Sequence, residues 1–227
     1  MAPAARRLRI QARHPKPGSL PATLDHLLWG SRDLDAAIAD LYERTGVQAV
    51  FGGLHPELGT QNALARLGER VFLELIAPAP ALPSGGLARQ LAQLHEPTLL
   101  MWAARIPDAA AAGVRAKAAG FTATVVDGHR ARPGGGLVRW KSLFVSGHGA
   151  GTLVPFFIEW DDAYHPAEDA TPGLALVSFS IETPAPERLR AILAALEVKV
   201  SVRKGRRDRL RAVLDTPRGR VVLTGPR

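Results

Sequence analysis

Two glutamates stand where apolar residues belong. Glu74 sits in Val71 to Ile76 (VFLELI) and Glu159 in Pro155 to Trp160 (PFFIEW), 85 residues apart. Strands this rich in Phe, Leu, Ile and Val are normally buried, and an ionised carboxylate there costs several kcal/mol unless a cation or hydrogen-bond donors compensate it. The same anomaly at two matching places suggests one shared partner, and a metal ion is the simplest. His26, in the apolar strand beside Leu24, Leu27 and Leu28, is the nearest candidate third ligand. A lone strand histidine is more often a satisfied core residue, but two glutamates in equivalent strands favour ligation. The chain has no cysteine, so any metal must rest on His, Asp, Glu and water, a donor set suited to Zn, Mn, Fe, Ni, Co or Mg.

His55 lies between Gly53 and Pro56 in a turn-rich stretch that runs to Gly59, Thr60 and Asn62. Taken alone it reads as a surface loop histidine; with a pKa near about 6.5 it could also serve as acid, base or second imidazole ligand. Thr60 and Asn62 could orient a substrate oxygen or merely satisfy their own loop. Trp140 and Phe157 are expected to wall a cavity, or equally to pack a core. His129 and His148 read as solvent-facing beside turns, and His14, His95 and His165 have no supporting context. Phosphate-binding loops, nucleophile elbows and dinucleotide fingerprints are absent.

The elements that must position these side chains recur. Thr23 to Gly30 reads as a strand, Asp33 to Thr45 as a helix capped by Ser31 or Asp33 and stopped by Gly46, followed by three short strands ending in VFLELI. The unit is βαβββ. It repeats from Thr98 to Glu159, after the Pro/Gly-rich linker Ala77 to Gly86 and a short helix, and again, more compactly, from Leu174 to Thr224. The third copy has no histidine in its first strand and no glutamate in its last. The expected fold is α+β, with three βαβββ modules: residues 23–77, 98–160 and 172–227. The first two should curl together into a cup spanning 23–165, because one small sheet cannot bury its own face. The third should pack on that pair or on its counterpart in a second subunit, which would give a homodimer.

At 227 residues folding would remove roughly 70% of the unfolded surface from solvent. No run approaches the ~20 apolar residues of a membrane span, and the basic N-terminus lacks a signal-peptide core, so a cytoplasmic protein without membrane contact is expected. The net charge of +8 is localised: residues 1–22 carry +5 and residues 199–211 carry +6, leaving −3 for the remainder. The basicity thus belongs to a tail and a C-terminal hairpin. Arginine gatekeepers on exposed strands account for it more simply than nucleic-acid binding does.

The pattern resembles the vicinal oxygen chelate superfamily, in its glyoxalase-like branch. The resemblance rests on LDHLLWGSRDLDAAI (24–38), GGLHPELGTQNALARLG (52–68), FLELIAP (72–78), Trp140 and PFFIEW (155–160), and it covers about residues 23 to 225. It implies a divalent metal in the cup held by first and fourth strands, hence His26, Glu74 and Glu159, with the fourth corner falling at Met101 or Trp102, neither a usual ligand. It also implies that His55 lies near the mouth of the cup as a catalytic residue beside Glu159. The activity implied is isomerase- or lyase-like chemistry on a small molecule with vicinal oxygens. Ring-cleaving dioxygenation would need a second imidazole, and a metal-free cup would sequester its ligand instead.

Overall fold

The computed structural model describes residues 22–132, 135–161 and 164–225; the expected basic tail lies outside them. The first unit comprises β1 (Thr23–Gly30), α1 (Leu34–Thr45), β2 (Val50–His55), β3 (Thr60–Gly68) and β4 (Val71–Pro78). A short helix, α2 (Gly86–Ala92), leads to β5 (Thr98–Arg105), α3 (Ala109–Ala118), β6 (Thr122–Ala131), β7 (Leu137–Ser146) and β8 (Phe156–Trp160). The last unit is β9 (Ala175–Thr183), α4 (Pro186–Ala195), β10 (Ser201–Lys204), β11 (Arg209–Thr216) and β12 (Gly219–Thr224). Helix α1 begins where the Asp33 side chain accepts from the Ala36 amide at 2.8 Å, and it ends at Gly46, whose φ of 78° suits glycine alone among common residues.

The first two units form one curled eight-stranded sheet, ordered β2-β3-β4-β1-β5-β8-β7-β6. Each unit contributes its four strands in the same pairing order, and the units meet where β1 and β5 run antiparallel at the centre. Curling brings the two edge strands, β2 and β6, into contact, so the sheet nearly closes on itself and leaves a narrow concave interior.

The third unit keeps the βαβββ element order but not the pairing order. Its sheet runs β10-β9-β11-β12, with the first strand inside rather than at an edge. The third unit thus repeats the element order of the first two but not their sheet, because β9 takes both β10 and β11 as neighbours. For the same reason residues 199–211 are no hairpin: β10 is parallel to β9, β11 is antiparallel to it, and the two basic strands never pair.

This second sheet packs on the convex side of the first. Phe179 meets the ring of Trp102 in β5 at 5.1 Å, and Ile181, Leu210, Leu214 and Leu223 join Leu27, Trp29, Leu73 and Leu75 in one core. Arg44 of α1 donates to the Val222 carbonyl at 2.9 Å. The third unit thus packs its apolar face within the chain, the first of the two arrangements expected for it. Among the described residues no helix is long and apolar enough to cross a membrane.

Candidate active site

Strand alternation decides which side chains enter the concave interior. In β4, Leu73 and Leu75 turn to the convex core, while Phe72, Glu74 and Ile76 face inward. In β1, Leu27 and Trp29 go to the core, and His26 and Leu28 go inward. A bulge then adds one more inward group. Leu24 pairs with Ala104 and His26 with Ala103, so Asp25 is an extra residue on β1. Asp25 and His26, neighbours that a regular strand would send to opposite faces, lie side by side.

The result is a continuous line of polar contacts across the buried interior. His26 Nδ1–H donates to Asp25 Oδ1 at 2.7 Å, which aims Nε2 at Glu74 Oε2, 3.5 Å away. The other carboxylate oxygen, Glu74 Oε1, accepts from Asn62 Nδ2 at 2.7 Å. That amide also points toward His55 Nε2 at 3.5 Å, and His55 Nδ1 meets Thr60 Oγ1 at 3.1 Å. His26, Glu74, His55 and Asn62 are only 3%, 7%, 8% and 3% exposed, so the contacts operate largely away from bulk water. His55 is not in a loop: it ends β2, paired with Thr60 at the start of β3.

Aromatic rings form the walls. Phe72 stacks on His26 at 4.6 Å and Phe156 meets it edge-on at 5.5 Å. Trp140 lies edge-on to His55 at 6.1 Å and to Trp160 at 5.8 Å. Gly128, cross-strand from Trp140, makes room for that ring, since a Cβ there would lie 2.4 Å from it.

Electrostatics follow from burial. Burial alone would raise the Asp25 carboxyl, but hydrogen bonds from His165 and His26 and their attraction outweigh it and hold the group well below the usual carboxylate range. His55 is shifted the other way for a base: burial lowers it, Glu74 opposes this, and the charges of Arg130 and His26 add to the lowering. It therefore stays neutral at neutral pH.

Two residues expected in the cup are turned out of it. In β8, Glu159 is paired with Lys141 and Phe157 with Leu143, and Leu143 belongs to the convex core. Phe157 is accordingly a core residue, 2% exposed, and not a cavity wall. Glu159 accepts from Lys141 Nζ at 3.1 Å and from the Ala109 amide at 2.7 Å, so it caps the start of α3. The inward residues of β8 are Phe156 and Trp160. Thr60 holds its Oγ1 against His55 Nδ1. Met101 packs inward among Leu28 and Ile76, whereas Trp102 faces the core and donates to the Leu153 carbonyl at 3.2 Å.

The structure also recruits residues without a sequence signal. After β8 the chain crosses the concave side as a strap, and His165 at its start is fully buried. Its Nε2–H donates to Asp25 Oδ2 at 3.0 Å, while Nδ1 accepts from the Ala167 amide at 3.2 Å. Trp160 Nε1 and Arg105 Nη1 converge on the same Oδ2 at 3.1 and 3.4 Å. Asp25 was legible only as an acid beside His26 in an apolar strand. Of the remaining histidines, His129 is exposed and His148 is half-buried, closing its own turn against the Val145 carbonyl.

The donor set does not fit the expected three-ligand metal. His26 Nε2 and Glu74 Oε2 converge, but Glu159 is held on the opposite face, and among the described residues no three His, Asp or Glu side chains are placed to hold a metal ion together. The assembled chemistry is that of a buried acid–base pair, each member fixed from behind.

A family model for the glyoxalase-like domain matches residues 24–197. A hypothetical protein from Staphylococcus aureus has a similar structure, with TM-score 0.61 at 14% identity over 89% of this chain and 85% of that one. Methylmalonyl-CoA epimerase from Mycobacterium tuberculosis aligns with TM-score 0.47 at 24% identity, over 68% of this chain and 97% of that one. No curated protein matches the chain. With its family match spanning most of the sequence, the chain belongs to the glyoxalase-like domain family.

Proposed function

We propose that the chain is a small-molecule enzyme of isomerase or lyase type, which moves a proton on a substrate bearing vicinal oxygens. The observation that supports this most is the opposition of Glu74 Oε2 and His26 Nε2 at 3.5 Å inside a buried, aromatic-walled interior. Glu74 is the base: Asn62 occupies one oxygen and leaves Oε2 to take a proton from carbon. His26 is the acid: Asp25 fixes its orientation through Nδ1, so that Nε2–H can donate to the oxygen on which charge develops. Neutral His55, steadied by Thr60, offers Nε2 as an acceptor to a second substrate hydroxyl. A divalent metal of the kind the superfamily commonly uses would find two protein donors here, and no step is assigned to one.

Solvent exchange tests the reading. In D2O, the wild-type protein should exchange the carbon-bound proton next to the carbonyl in at least one member of a panel of hydroxyketones and hydroxy acids, followed by NMR, with and without chelator. Glu74→Gln should lower that exchange by about 100- to 10,000-fold while the ligand still binds. Binding of panel members to wild type with exchange in none of them would overturn the enzyme reading. It would favour the second one, a sequestering cup, for which the deep burial of His26 and Asn62 also speaks.

A further inference from the structure

Arg130 is a buried cation that the acid–base pair does not use. It is 5% exposed and lies on β6 two residues from Gly128, hence on the same inward face as Trp140. Its Nη1 donates to the Gly52 carbonyl and, at 3.4 Å, to that of Ala131, so it ties the two sheet edges together. Nε and Nη2 have no acceptor among the described residues, and neither is fully sealed from solvent. No described carboxylate lies within ion-pairing distance of Arg130.

Arg132, two positions on, shows what that edge of a guanidinium accepts. Its Nε and Nη2 hold Asp169 in a fork, both bonds at 2.6 Å. The equivalent edge of Arg130 has no acceptor among the described residues, and Arg130 is the buried one of the two. An unpaired buried guanidinium is costly, and a planar anion presenting two oxygens satisfies it best. Arg130 also stands close to the site. Gly52, which accepts its hydrogen bond, faces Asn62, whose Oδ1 would be 2.5 Å from a Cβ there, and Asn62 donates to Glu74. Consistent with this, the charge of Arg130 helps keep His55 neutral.

We propose that the Nε–Nη2 edge of Arg130 binds a carboxylate on the substrate, so that the substrate class is an organic acid whose vicinal oxygens lie about one side chain from its carboxylate. This deepens the acid–base reading of the same interior and rests on it. Asn62 then marks the boundary between an anchoring end and a reacting end, and Gly52 allows the two to approach.

The test uses malate, which carries a hydroxyl and carboxylates on adjacent carbons, against malamide, its uncharged diamide. In side-chain NMR of the full chain, the Arg130 Nε–H resonance, assigned by its loss in Arg130→Lys, should shift saturably with malate and stay in place with malamide or with chloride at equal ionic strength. Arg130→Lys keeps a charge but loses the fork, and should weaken malate binding by about tenfold. Glu74→Gln should leave the malate response intact, because it removes the base and not the anchor. An equal response to malate and chloride, no response, or unchanged affinity in Arg130→Lys would each overturn the assignment. The result is separable from the proton-transfer reading: exchange lost in Glu74→Gln with an unresponsive Arg130 sinks only the anion site, and a responsive Arg130 without exchange sinks only the enzyme.

Discussion

Asp25 carries more of the site than any single residue the sequence brings forward. One carboxylate oxygen orients His26, and the other receives His165, Trp160 and Arg105. Asp25→Asn keeps the shape but leaves these donors without their charge, and removing one partner of a buried ionic cluster costs about 3–5 kcal/mol, to be read from urea unfolding at pH 7. The pH dependence has a definite sign. Because the folded-state pKa of Asp25 is lowered, its contribution is present above about pH 3.8 and is lost as pH falls toward the folded value; the variant should flatten that acid limb. His55 works in the same direction in a higher range. Its folded pKa is also lowered, but here the neutral form is the native one, so stability should begin to fall below about pH 6.5, and His55→Gln should remove that slope. His26 and Glu74 were legible in the sequence because a polar residue in an apolar run demands a partner, whereas His55 and Asn62 stood in a turn-rich stretch and drew attention only through the family resemblance. Asp25 was hidden by its bulge, and His165 by a linker whose destination only tertiary packing decides.

Strand β8 shows how an element can mislead by one residue. Matching FLELI to FFIEW by their glutamates treats Glu74 and Glu159 as equivalent, and the apolar run Pro155 to Trp160 gives no warning. The structure places a single helical turn at Gly151–Leu153 and begins β8 at Phe156. Alternation counted from the true register sends Phe156 and Trp160 inward and Glu159 outward; a one-residue shift exchanges every side chain between faces. Glu159 is then an element-level device, an acceptor at the amide end of α3. Glu159→Ala should lower stability by about 1 kcal/mol in thermal melts while leaving the solvent exchange of bound substrate unchanged. Loss of exchange in that variant would return Glu159 to the chemistry. By contrast the limits of β1 and the caps of α1 were readable, since Asp33 and Gly46 act through local backbone geometry alone.

At the scale of the whole molecule, the first two units reveal their kinship in sequence because they share strand order, and the third does not reveal its difference because strand order in a sheet is not written in element order. Its place on the convex face is fixed by Phe179 against Trp102 and by Leu210, Leu214 and Leu223 in the common core. A chain truncated after residue 170 would uncover Leu27, Trp29, Leu73, Leu75 and Trp102. It should lose the cooperative thermal transition and bind a hydrophobic dye; a sharp two-state melt from this fragment would show that the cup folds without its backing.

The strap joins these scales. Within a dozen residues it buries His165 against Asp25 in the interior, lays Ala167 and Ala170 on Leu64 and Phe72, receives the Arg66 amide at the Thr171 carbonyl (2.8 Å), and passes Gly173 over Val47 into the third unit. A tether fastened at both ends transmits tension. Fluctuations that loosen the second sheet are therefore felt at His26, and ligand that steadies His26 should slow amide hydrogen exchange in β9 and β11, on the far side of the molecule.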